Sequence, residues 1–365
     1  MSAPEQALAQ VLDRVLVTRK EVGERFPLFA DPDTGRWTTT GRGSWTGGFW
    51  AGLLWLRSRW TGAEDDRVAA SAVTRRLAPW ASADTVTRGL ILWYGTALAE
   101  GDAEAAALRA RAAEACLAAV DPRLGIVPWG AALGGDREQA RADGVPGTVQ
   151  LLAAAGAGGG AAAASHLHRH LDLCVGSHSG VGGRVSFGDA LGAPLRPAWR
   201  HTGAGWEPCA DPPPGWSRGR AWLLLAVADA LGRPGEADWR PDELAGALRR
   251  LLTDGGALVP PADDALPGGP RDTSAAAITA VALLKLARVP GQEAEGHGER
   301  AAAILDRLVA GHLSGAGGER PAGMLLDGCY DAERGTAVRH ELVWGDFFLA
   351  LGLAGRCGVV DLGEV

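Results

Sequence analysis

Six stretches of this chain are apolar on nearly every helical face: GFWAGLLWL, RGLILWYGTALA, GTVQLLAAAG, GRAWLLLAVADAL, SAAAITAVALLKLA and GDFFLALGLAG. A helix without a polar face has to be surrounded by protein. Between these stretches lie helical segments with one polar face, such as AAALRARAAEACLAAV and LAGALRRLLTD. The 3.6-residue periodicity predicts twelve helices, at about 4–24, 46–60, 64–80, 86–100, 102–120, 144–157, 160–175, 217–232, 241–254, 273–288, 297–312 and 344–355. Six buried helices alternating with six half-exposed ones predict six antiparallel hairpins closed into a ring, an all-α (α/α)6 barrel. A solenoid would alternate faces too, but its repeats resemble one another in sequence, and these do not. No change of composition marks a boundary, so residues 1–365 read as one domain. A long Gly/Pro-rich loop spans about 176–216, with RVSFGD (184–189) as a short strand inside it.

Composition narrows the function classes. A net charge of −7, from 36 basic and 43 acidic residues, gives no electrostatic footprint for nucleic acid. Fourteen Trp against six Phe and two Tyr is an unusual balance. Trp needs a partner for its N–H when buried, so this usage favours flat stacking surfaces of the kind that bind sugars. Five widely spaced Cys without a CxxC pair support neither a disulfide framework nor a thiolate metal site. The amphipathic N-terminus has no signal-peptide core and no run reaches the length of a membrane span, which predicts a cytoplasmic chain without membrane contact. Three His in HLHRH (166–170) alternate around a helix, and only His166 and His170 have i, i+4 spacing, without an HExxH partner, so no metal is expected. Walker A and strand-linked GxGxxG motifs are both missing.

If the inner helices run the same way, their N-termini gather at one mouth of the barrel. Residues placed there are Trp45, Thr87, Arg88, Asp143, Trp216, Arg218, Asp272, Trp344 and Asp346. Free N–H groups and the helix dipole suit such a mouth to an anionic, hydroxyl-rich ligand. Capping competes with a site role for Asp272, Asp346 and Asp143, and core packing claims Trp55. Arg218 opens an otherwise apolar helix between Trp216 and Trp222, so it needs an anion from the protein or the substrate. Asp143, in a partly apolar mouth, is the candidate proton donor, because burial raises a carboxyl's pKa.

Four segments in order, SWTGGFWAGLLWL (44–56), GWSRGRAWLLLAVADAL (215–231), DTSAAAITAVALLKL (272–286) and VWGDFFLALGL (343–353), resemble the unsaturated glucuronyl hydrolases of glycoside hydrolase family 88. WSRGRAW is similar to that family's W-(A/S)-R-G-Q-A-W signature. The resemblance implies the (α/α)6 barrel and a metal- and cofactor-free reaction on a small-molecule sugar or related enol ether. In that reaction a terminal 4,5-unsaturated uronic acid is protonated and hydrated, after which the sugar opens and expels its aglycone. It implies that Asp143 is the general acid and base, with Gly147 where Asn is usual. It also implies that Arg218 and Trp222 contact substrate, that Arg220 replaces the signature Gln, and that Trp45 or Trp50 stacks on the sugar. Thr87 stands where the family has a second catalytic Asp, Val86 where it has His, and Arg184 where it has a substrate His. Asp84, three residues upstream of Thr87, is the nearest substitute. These departures keep open a non-hydrolytic isomerase, lyase or cyclase on the same fold, or a sugar-binding protein without catalysis.

Overall fold

The computed structural model describes residues 1–176, 195–252, 256–291 and 293–365. Among them are twelve α-helices, one for each expected segment. The six inner ones are α2 (Gly47–Thr61), α4 (Tyr94–Thr96), α6 (Thr148–Ala153), α8 (Ser217–Gly232), α10 (Thr273–Leu286) and α12 (Val343–Arg356). The fourth is mostly a π-turn, Gly89–Trp93, which runs directly into α4. Each inner element packs on the next, and α12 packs on α2, which closes the ring. The outer helices are α1 (Ala3–Val22), α3 (Glu64–Arg75), α5 (Ala103–Ala118), α7 (Gly159–Cys174), α9 (Pro241–Leu251) and α11 (Ala294–His312). Their starts follow local chemistry. Ser2 and Glu5 form a reciprocal capping box on α1, and the Asp102 carboxylate caps α5.

The inner ring is tight because small residues face each other. Gly147 precedes α6 with φ +73°, and a Cβ there would overlap the Gly89 carbonyl. A Cβ on Gly89 would in turn overlap the Thr148 backbone nitrogen. The fourth and sixth elements of the chain therefore touch backbone to backbone. One continuous apolar cluster fills the ring and the space between the two layers of helices. At the end remote from the mouth, Lys285 bonds Asp229 and the Val365 carbonyl, while Gln150 bonds the other Asp229 oxygen, linking α6, α8 and α10.

Among the described residues, two three-stranded antiparallel sheets accompany the helices. One has the order β2 (Trp37–Thr40), β1 (Phe26–Ala30), β6 (Glu341–Leu342) and leads into α12. The other has the order β3 (Gln139–Arg141), β4 (Ala198–Thr202), β5 (Gly205–Pro208). Part of the expected long loop is thus β4 and β5, and the strand expected at 184–189 lies outside the described residues. No helix among the described residues is long and apolar enough to cross a membrane.

Candidate active site

The inner helices deliver their N-terminal residues to one cavity of about 710 Å³. Trp45, Thr87, Asp143, Trp216, Arg218 and Trp222 all line it. Trp129 and Arg141 from the β3 side and Tyr330 from the loop before α12 complete the inner wall.

Asp143 sits in a single 3₁₀ turn, Ala142–Gly144, that follows β3. Pairing of Arg141 with Ala198 across β3 and β4 fixes the strand, and Ala142 N–H donates to the Pro197 carbonyl at 2.8 Å. Gly144 then lies against Val86, where a Cβ would meet the Val86 side chain at 2.7 Å. Val86 fills space against this turn instead of offering an imidazole. Asp143 does not cap a helix and its surroundings are not apolar. Its two oxygens accept from Arg141 Nε at 3.1 Å and Nη2 at 3.2 Å. The Arg141 guanidinium lies over the Trp129 ring at 4.4 Å, and Trp129 Nε1 donates to the Gly134 carbonyl at 2.8 Å. Beneath the turn, His166 Nδ1 accepts from Val127 N–H at 3.1 Å and His166 Nε2 lies 3.3 Å from the Gly144 carbonyl. Burial pushes the His166 imidazole well below its usual range and that of His170 down to about 4.

Arg218 meets its anion within the protein. It pairs with Asp272, and its two terminal nitrogens donate to the carbonyls of Cys329 at 2.6 Å and Tyr330 at 2.8 Å. Asp272 also caps α10 through Ser274 N–H at 3.1 Å, so its capping role and its service to Arg218 coincide. Trp216 and Trp344 lie over the guanidinium at 5.0 and 5.5 Å. The aromatic wall continues with Trp45, whose Nε1 donates to Tyr330 Oη at 3.3 Å, and with Trp222, stacked on Phe49 at 6.1 Å. At the rim, Arg334 joins two loops by pairing with Asp211 at 2.8 Å and Asp331 at 2.9 Å.

Other expected site residues lie elsewhere. Trp50 is buried in the core, outside the cavity lining. Trp344 is fully buried one layer behind Trp45, with ring centroids 4.8 Å apart. Arg88 points outward to α5, where it donates to the carbonyls of Ala83 at 2.6 Å and Ala115 at 3.4 Å. Arg220 pairs with Asp264, outside the cavity lining. Asp84 is half exposed, accepts from Ala131 N–H at 3.1 Å and pairs with Arg137 at 3.1 Å, outside the cavity lining. Thr87 does line the cavity, with its hydroxyl tied to that of Thr85 at 2.8 Å. Asp346 turns away from the mouth toward Glu341 and Arg14. Arg184 lies outside the described residues. Arg141 and Trp129 were missed in the sequence. The signal available was the arginine two residues before Asp143, which a strand ending in a tight turn folds back onto the carboxylate.

Against known structures, the chain superimposes over almost its full length on the unsaturated glucuronyl hydrolase from Bacillus sp. GL1, a protein responsible for glycosaminoglycan degradation. The TM-score is 0.78 at 22% identity, covering 97% of this chain and 96% of that one. The enzyme from Streptococcus agalactiae gives 0.77 at 18% identity, covering 99% and 93%. A UGL structure carrying dGlcA-Glc-Rha-Glc gives 0.81 at 22%, covering 96% of each chain. The chain has the unsaturated glucuronyl hydrolase fold. No family model and no curated protein matches the sequence.

Proposed function

We propose that this chain is a glycoside hydrolase-type enzyme that hydrates a 4,5-unsaturated uronic acid at the end of a small saccharide. Asp143 is its general acid and base. The observation that carries the reading is Asp143 itself, a carboxylate on a 3₁₀ turn anchored by strand β3 in a cavity walled by Trp45, Trp129, Trp216 and Trp222. The aromatic faces suit sugar rings, and the fold is shared with the UGL structure that carries dGlcA-Glc-Rha-Glc. In its protonated form Asp143 gives its proton to C4 of the enol ether, leaving positive charge shared between C5 and the ring oxygen. Water adds to C5 while Asp143 takes back a proton, and the resulting hemiketal opens and releases the aglycone. No displacement at the anomeric carbon is needed, so a second carboxylate at the spacing of ordinary glycosidases is not required.

One feature favours a second reading. Thr87 supplies no carboxylate, and its hydroxyl is already bonded to Thr85. A protonated alkene could then be trapped by a group of the substrate, making the reaction an isomerisation, elimination or cyclisation. Incubation with an unsaturated glucuronyl disaccharide in heavy-oxygen water decides between them. Loss of the conjugated ultraviolet absorbance with one heavy oxygen in the product supports hydration. Loss without the label supports the second reading, and binding without turnover shows a sugar-binding protein.

A further inference from the structure

Among the described residues, the cavity holds one guanidinium whose only charged partner is the proposed acid. Arg218 is committed to Asp272 and two carbonyls, and Arg334 to two rim carboxylates. Arg88 and Arg220 lie outside the lining. Arg141 differs. Its Nε and Nη2 hold Asp143, its Nη1 has no partner among the described residues, and its flat face rests on Trp129. The geometry of such a guanidinium fork matches any planar carboxylate, whether it comes from the protein or from a ligand. A carboxylate held on both oxygens by such a fork is also the wrong form to donate a proton.

We propose that Arg141 is the receptor for the carboxylate of the substrate, and that its capture releases Asp143 to take up a proton. The assignment rests on the hydrolase reading above and names the group that selects an anionic sugar. The incoming carboxylate replaces that of Asp143 on Nε and Nη2. Asp143, freed of its counter-charge and facing a new anion, gains a proton from solvent, and that proton is the one delivered to C4. The acid is thereby armed only when an anionic sugar is seated. Other charged and titratable groups facing the pair are Asp211 and Cys209 on the β5 side, and His170 and Cys174 of α7. None of these supplies a second cation at neutral pH, because burial keeps His170 neutral.

Binding of an unsaturated glucuronyl disaccharide and of its methyl ester tests this. Calorimetry is done in an Asp143→Asn background, where turnover is blocked and the fork is free. The acid should bind at least about tenfold more tightly than the ester, as a charge-assisted fork requires. Adding Arg141→Gln should abolish that preference by weakening the acid alone, and Arg141→Lys should restore part of it. An acid preference that survives Arg141→Gln, or binding of neither ligand, overturns the assignment. Wild-type turnover judges the hydrolase reading separately. A wild-type protein that leaves the double bond intact while Arg141 governs the acid preference defeats that reading and keeps the receptor.

Discussion

At Asp143 chemistry and architecture separate cleanly, because its side chain caps no helix and its turn is fixed by backbone pairing. Asp143→Asn should therefore keep the melting temperature within a few degrees while lowering initial rates about 10²–10⁴-fold, the usual range for general acid catalysis. Thr87→Ala should cost less than about tenfold in the same assay, since its hydroxyl serves Thr85 and no proton transfer is assigned to it. Arg218 is the opposite case. Arg218→Lys cannot hold Asp272 and two carbonyls at once, so at least one buried acceptor loses its donor. A loss of roughly 1–3 kcal/mol in denaturant unfolding is expected. The sequence made the need for an anion at Arg218 legible, because a guanidinium opening an apolar helix has no other way to be buried. It hid the partner, since Asp272 is 54 residues away in the chain. It also placed Asp143 at the mouth and hid its counter-charge, because the expected apolar mouth followed from the helix after Asp143 and not from the strand before it.

Among elements, all twelve helices were readable because each buries either one face or every face, and burial leaves a period in the sequence. The six strands among the described residues are two to five residues long, too short for an alternation to register. Yet one of the sheets aims Arg141 and Asp143, so the least legible elements carry the proposed chemistry. The π-turn at Gly89–Trp93 was equally silent, since its apolar run looks like any buried helix. It packs against Gly147, where any side chain should harm this chain. Gly147→Asn places a Cβ against the Gly89 carbonyl, and an overlap of this kind costs about 1–3 kcal/mol. A lowered urea midpoint with an unchanged slope would register it. A Gly147→Asn protein as stable as wild type would mean that α4 and α6 can separate.

For the whole molecule, packing buries titratable groups at two separate places, and their effects on stability oppose each other. His166 and His170 lie one turn apart on α7 with rings 4.4 Å apart, faced by Asp143 and Arg169. Burial holds both neutral, with His170 pushed from 6.5 down to about 4. Between those values the unfolded chain takes up a proton that the folded chain refuses. The contribution of His170 is thus fully present above about pH 6.5 and is lost as the pH falls toward 4. That shift corresponds to something on the order of 3 kcal/mol. The second place joins α12 to α1 and β6. Arg14 bonds Glu341 at 2.7 Å and the Gly35 carbonyl at 2.8 Å, and Asp346 lies behind Glu341. Burial raises the Asp346 carboxyl well above its usual range, reinforced by Glu341 and opposed by Arg14. Here the folded chain keeps a proton that the unfolded chain releases, so this contribution is full below the ordinary carboxyl range and declines as pH rises. Melting temperatures of wild type, His170→Asn and Asp346→Asn between about pH 4 and 8 should therefore diverge in opposite directions. His170→Asn can still donate to the His166 carbonyl and should gain on wild type as the pH falls below about 6.5. Asp346→Asn can still accept from Leu325 N–H and donate to Glu341, and it should gain as the pH rises. Parallel curves for Asp346→Asn and wild type would show that Asp346 is ionised in the fold, with Arg14 serving both carboxylates.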